Sequence, residues 1–422
     1  MVFESFSTAV AVVLGATFVL AFILGAVANK TNFCTMGAVS DWVNMGDLSR
    51  MRAWVLAIAV AMLGVVVFEF FGMVNADSAF PPYRMSNFNW AAHALGGLMF
   101  GIGMTFGSGC GNKTLVRVGG GNIKSVMVLI IIAIIAFWMT SRQPVFGTGQ
   151  TLYQLLFGWT NAISINLAAG QDLGSIVAGG DAAVTARLII GVILGLALLF
   201  WVFKSVDFRS SRDNILGGIV VGAMVIGAWY VTSSVQVTDG MDNYELRAYV
   251  QDWDFLADDP DARPAEAMPW SSQSFTFINP MGQTLRYVMS GFDNAVLYFG
   301  VISLVGVILG SFFWALFSKA FRIEWFASPR DFVNHLIGGI LMGFGGVLAM
   351  GCTVGQAITG TSTLALGGFL TFATIVLGAA LTMKVQYYKL VYEDEATFPK
   401  ALVTGLVDLK LLPGSMRKLE AI

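Results

Sequence analysis

Residues Gly96–Lys124 read GGLMFGIGMTFGSGCGNKTLVRVGGGNIK, and a second version of its first half stands 242 residues later at Gly338–Cys352, as GGILMGFGGVLAMGC. Laid over each other without a gap, seven of the 18 positions from His93 to Cys110 are identical to their partners between His335 and Cys352. They are the histidine, five glycines and the cysteine. Shared composition explains glycines in two apolar segments; it does not explain the shared histidine and cysteine, so the pair is read as an internal repeat. The third cysteine, Cys34, follows Gly25 by nine residues, as Cys110 follows Gly101 and Cys352 follows Gly343.

The chain has 422 residues, 56% hydrophobic and only 12% charged, with a mean hydropathy of +0.73. A soluble domain is about one-quarter charged. With no strand-like alternation, this composition predicts an all-α polytopic membrane protein. The net charge of -2 excludes an ordinary nucleic-acid binder. Nine spanning segments are expected, near 8–28, 53–73, 91–107, 123–139, 186–204, 215–232, 294–318, 336–350 and 363–383. The third and eighth are short and end at glycine-cysteine, so they are expected to re-enter part-way. No Lys or Arg precedes the first apolar run, which argues against a signal peptide and for an exported N-terminus.

With the N-terminus outside, 18 of the 24 Lys and Arg fall on the inner side, including Lys30, Lys113, Arg117 and Lys124. Arg84, Arg142, Arg187, Arg247, Arg263 and Arg286 fall outside. This imbalance predicts an outer N-terminus and an inner C-terminus. Five crossings separate the two glycine-cysteine segments, so they enter from opposite faces, the inverted-repeat layout of transporters. The expected organisation is one membrane domain over 1–422, with a first half near 1–140 and a second near 186–383. A polar insertion, 234–293, carries ten acids, among them Asp252, Asp254, Asp258, Asp259 and Asp261. It is expected outside, with Trp253 and Trp270 on the membrane surface. Residues 384–422 form an inner tail, and the stretch from Leu152 to Leu167 is expected along or within the membrane.

Three cysteines on separate segments form no disulfide framework and no metal-ligand spacing. Neutral thiols in a narrow passage offer soft, weak S–H donors to a polarisable, sulfur-rich solute, whereas thiolates would repel a passing dianion. Bends after Gly109 and Gly351 are expected to free backbone N–H groups that bind an anion without fixed charge. Gly111, Asn112 and Thr353 flank the same bends, and Lys113 adds a mobile charge. The run Gly107–Thr114 nearly spells a phosphate-binding loop, but Asn112 replaces its second glycine and a membrane segment replaces the strand, so nucleotide binding is rejected. Glu69 is expected to snorkel, and His93 and His335 to cap their segments or touch headgroups.

At Asn29–Ala38, Gly103–Lys113 and Gly345–Gly355 the chain resembles the YeeE/YedE family of membrane proteins. The resemblance implies an hourglass-shaped inner-membrane permease, not an enzyme, that takes up thiosulfate. It implies passage along the thiols of Cys34, Cys110 and Cys352 by S–H···S contacts, with no cofactor and no metal. It also implies a small cytoplasmic sulfurtransferase of the TusA type as a separate partner, since only 39 residues follow the last apolar segment. A transporter of another sulfur or selenium species, or a membrane thiol sulfurtransferase or oxidoreductase, is compatible with the same residues.

Overall fold

Backbone groups inside a bilayer must be satisfied internally, so long apolar runs are expected to form helices. A computed structural model describes residues 1–141, 148–256 and 270–420, with the side chains of Asp254 and Phe255 left aside. Arg142, Arg263, Asp258, Asp259 and Asp261 lie outside the described residues. Among the described residues, eight helical stretches are long and apolar enough to cross a membrane. A ninth, Trp90–Phe106, has 17 residues, about 25 Å of helix. Each falls on an expected segment, but the eighth, Pro329–Leu348, has 20 residues and is long enough to cross, not the short re-entrant run expected.

In chain order the helices that build the membrane domain are α1 (Phe6–Lys30), α2 (Thr35–Met45), α3 (Ser49–Phe70), α4 (Trp90–Phe106), α5 (Gly111–Gly119) and α6 (Ile123–Thr140). They are followed by α7 (Ala182–Phe203), α8 (Arg212–Ser234), α9 (Ile278–Met289), α10 (Phe299–Phe317), α11 (Pro329–Leu348) and α12 (Leu366–Val391). A π-helical turn, Val354–Gly360, precedes α12, and α13 (Phe398–Asp408) packs on α12 near its end.

Glycine sets how these helices meet. A Cβ on Gly96 would stand 2.7 Å from the Gly345 carbonyl oxygen, and one on Gly103 would stand 2.9 Å from that of Gly338. The two contacts interchange under the 242-residue offset, so α4 and α11 pack antiparallel about a local two-fold. Other contacts follow the same rule. α1 packs on α10 and α8 on α3; α4 packs on α12 and α11 on α6; α5 meets α10, and the π turn meets α3. Helix α7 has no counterpart in this scheme and lies against α3, with Gly191 at Val66 and Gly195 at Leu63.

The insertion departs from expectation. Its start forms a small sheet in which Val2–Phe3 pairs parallel with Gln236–Thr238, itself antiparallel to Asn243–Glu245. Trp253 is buried there, edge to face with Phe6 (5.1 Å) and Tyr249 (5.7 Å), and Trp270 meets Phe6 edge to face too (5.3 Å). These tryptophans serve a local core instead of a lipid surface. Residues from Ser272 to Ile278 are buried, and α9 follows with Gly282 against Ala136 and Phe137 of α6. The end of the insertion is therefore interior structure. Residues 152–166 form two short helices and a strand, Ile165–Asn166, that pairs with Asn87–Phe88 beside the loop after α3.

Neither histidine reaches a headgroup. His93 is buried with Nδ1 2.8 Å from Thr371 Oγ1 on α12, and His335 is buried with Nδ1 2.8 Å from the Asp331 carbonyl.

Because the α4–α11 contact admits no side chain, Gly96→Leu or Gly345→Leu is expected to abolish monodisperse protein in detergent. Gly15→Leu, at a helical glycine with open space around it, is expected to leave the yield unchanged. Size-exclusion profiles of the three variants check this.

Candidate functional site at the converging helix ends

Each of the three cysteines stands where a helix begins. The Cys34 carbonyl accepts from the Ala38 N–H at 3.0 Å, that of Cys110 from Thr114 at 2.9 Å, and that of Cys352 from Gln356 at 2.8 Å. The preceding turns of the repeat pair are copies. α4 ends at a left-handed Ser108 (φ 57°) and α11 at a left-handed Met350 (φ 58°). The Gly109 N–H then donates to the Met104 carbonyl at 2.9 Å, and the Gly351 N–H to that of Gly346 at 2.8 Å. A non-glycine residue there costs roughly 1–2 kcal/mol. The bend expected after Gly109 and Gly351 is thus made one residue before each of them, and the glycines carry the chain on to the cysteines.

From these turns the new helices run to opposite faces. α5 ends beside Glu324, whose carbonyl accepts from the Ile123 N–H at 3.0 Å. The π turn ends beside the loop after α3, where Arg84 Nε donates to the Thr363 carbonyl at 3.0 Å. The N-termini of α2, α5, α9 and the π turn meet between them. There the positive ends of the helix dipoles and the first N–H groups of each helix collect.

The structure brings the three thiols into one group, with Cys110 in interaction range of both Cys34 and Cys352. All three are free and buried. The Gly37 N–H donates to Cys34 Sγ at 3.5 Å, so the thiol caps α2. The Lys113 N–H lies near the Cys110 sulfur, and those of Gly355, Phe277 and Val354 near Cys352. A Cβ on Gly111 would lie 3.5 Å from Cys352 Cβ, and one on Gly109 3.1 Å from Lys113 Cγ. Gly351 faces Thr276, whose hydroxyl would lie 3.2 Å from a Cβ there. Asn112 is buried, and its Oδ1 has no partner among the described residues. The Thr353 hydroxyl lies near the Cys110 thiol and has no hydrogen-bond partner among the described residues.

Toward one face the group opens on a cavity of about 750 Å³. Its lining includes Lys30, Lys113, Arg117, Lys319 and Arg322, with Glu324 as its acid. Lys113 Nζ donates to Asn32 Oδ1 at 3.2 Å at the inner end. Toward the other face, Tyr83 is buried near Cys352 and donates its hydroxyl to the Gly355 carbonyl at 2.9 Å.

Next to Tyr83, Arg84 donates to both Glu69 oxygens (2.5 and 2.8 Å), and Arg187 Nη1 donates to Glu69 Oε1 at 2.7 Å. Arg187 also holds Asp172 through Nε at 2.8 Å. Glu69 therefore does not snorkel; it is buried between two guanidiniums. Asp77 touches both arginines from the rim. Partial burial would raise its carboxyl, but Arg84 and Arg187 hold it below the usual range.

Several of these residues were not singled out in the sequence. Tyr83 and Arg84 stand in a polar loop. Phe277 and Thr276 follow an acidic stretch, and their only signal is the apolar Phe275–Ile278.

Residues 30–381 match the family model described as sulphur transport. The chain belongs to that family, the YeeE/YedE proteins. It is 21% identical over 373 residues to the thiosulfate transporter TsuA of Escherichia coli strain K12, covering 84% of this chain and 90% of that protein. It is also 21% identical over 363 residues to the thiosulfate transporter TsuA of Spirochaeta thermophila, covering 85% and 94%. A role in sulfur transport, and not in catalysis, follows for this multi-pass membrane protein.

Removing the acid that two buried arginines share leaves charge uncompensated, at a cost of about 3–5 kcal/mol. Glu69→Gln is expected to lower the apparent melting temperature well below that of Asp77→Asn, whose side chain is 58% exposed. Thermal unfolding of the purified variants compares them.

Proposed function

We propose that this protein is a bacterial inner-membrane permease for thiosulfate, and that the anion passes the thiols of Cys352, Cys110 and Cys34. The observation that carries the reading is the grouping of three buried cysteines, each at the start of a helix, where N–H groups and dipoles favour an anion. Thiosulfate joins an oxygen-rich end to a polarisable terminal sulfur, which suits amides beside S–H donors. Gly109, Gly111 and Gly351 let the backbone close on the anion, Asn112 and Thr353 stand beside it, and Lys113 receives it at the basic cavity. Both relatives bear the name thiosulfate transporter, which supports this substrate.

The basic cavity belongs on the cytoplasmic side by the excess of Lys and Arg there. The N-terminus is then periplasmic and the tail 384–422 cytoplasmic. We take the first half to end with α6 and the second to begin with α8 instead of near 186, because the paired contacts skip α7. A TusA-like sulfurtransferase is the partner we expect at the cytoplasmic opening, where five cationic side chains suit an acidic surface.

Growth on thiosulfate as sole sulfur source, in cells lacking other routes, should be lost in Cys110→Ala and Cys352→Ala while the protein still reaches the membrane. Labelled thiosulfate uptake should fall at least tenfold in each. Unimpaired uptake by Cys110→Ala would reject the thiol path.

A further inference from the structure

Thr35 and Thr353 each follow a cysteine directly, Cys34 and Cys352. Both are fully buried, and neither hydroxyl has a hydrogen-bond partner among the described residues. One comes from each half, yet both lie near the third cysteine, Cys110. Thr105 and Thr114, also buried, bond the carbonyl four residues back at 3.1 Å, whereas Thr17 and Thr276 resemble Thr35 and Thr353 in having no partner among the described residues. The Ala349 carbonyl, four residues before Thr353, accepts from Gln356 Nε2 at 2.6 Å and not from the threonine. Buried polar groups without partners are rare in folded proteins. Two of them beside one thiol, where the helix N-termini converge, leave room for a ligand to supply the partner.

We propose that Thr35 and Thr353 determine specificity at Cys110. Their hydroxyls donate to the oxygens of an oxygen-bearing sulfur anion while its terminal sulfur lies against the thiol. The inference rests on the thiosulfate reading and deepens it. An O–H donor bonds a charged oxygen well and a diffuse sulfur poorly, so the pair favours thiosulfate over oxygen-free sulfur anions. Neutral donors that rotate about one bond hold a passing ion without trapping it, as conduction requires. The position after Cys110 itself is Gly111, where a Cβ would stand 3.1 Å from Ile278 Cδ1 and so crowd the same space.

The test uses purified full-length protein in liposomes and initial rates of labelled thiosulfate uptake across a concentration range. Thr35→Val and Thr353→Val keep the shape and remove the hydroxyl. Each should raise the half-saturating concentration about tenfold, the loss of one hydrogen bond to a charged group, with a smaller change in maximal rate. Thr35→Ser and Thr353→Ser should restore it. Unlabelled thiocyanate, an oxygen-free sulfur anion, should compete no worse in the valine variants than in the parent. Unchanged half-saturation in both valine variants, serine variants as impaired as valine, or an equal loss for thiocyanate would each overturn the proposal. If a valine variant is not monodisperse, alanine at that position adds no bulk and carries the same expectation. Failure of the parent protein to move thiosulfate at all would instead sink the substrate reading, and this inference with it.

Discussion

Backbone-to-backbone contact between α4 and α11 is the constraint from which the site follows. Gly96 lies against Gly345, and Gly103 against Gly338, too close for any side chain. Apolar side chains give helices little reason to associate in lipid, so close van der Waals contact carries the pairing. Once the two helices are locked antiparallel, their identical left-handed ends at Ser108 and Met350 turn the chain inward from opposite directions. Cys110 and Cys352 then stand together, each at the head of a new helix. A shift of the contact by one helical turn, about 5.4 Å, would part them.

Charge is distributed to match. The centre holds thiols, hydroxyls and amide N–H groups, with helix dipoles as its source of positive potential. On one side lies a wide cavity rich in Lys and Arg. On the other, the positive charges of Arg84 and Arg187 are consumed by Glu69, Asp77 and Asp172. Those pairs tie the loop after α3 to the region past the π turn, and the same loop carries Tyr83 down onto the Gly355 carbonyl. The two sides are thus unlike: one is a broad, basic cavity, and on the other Tyr83 is buried in a loop pinned by buried ion pairs.

Much of this was legible in the residues. Hydropathy located the nine long helices, and the offset between Gly96–Cys110 and Gly338–Cys352 located the paired half-sites. Two things were hidden by chemistry that reads the same in solution and in lipid. Glu69 near the end of an apolar span looks like a snorkelling acid until Arg84 and Arg187, 15 and 118 residues away, close on it. The fourth converging helix, α9, follows an acidic stretch and carries no cysteine, so Phe275–Ile278 read as part of an external insertion. The turn residue was also misplaced, because glycine is the usual left-handed residue and here Ser108 and Met350 take that role.

The most direct measurement is an experimental structure of the protein soaked with selenosulfate, thiosulfate's analogue with a heavy terminal atom. The account predicts anomalous selenium signal among Cys34, Cys110 and Cys352, with the oxygen end toward the N–H groups of the converging helices. Selenium found only among the lysines of the basic cavity, or nowhere near the thiols, would contradict it.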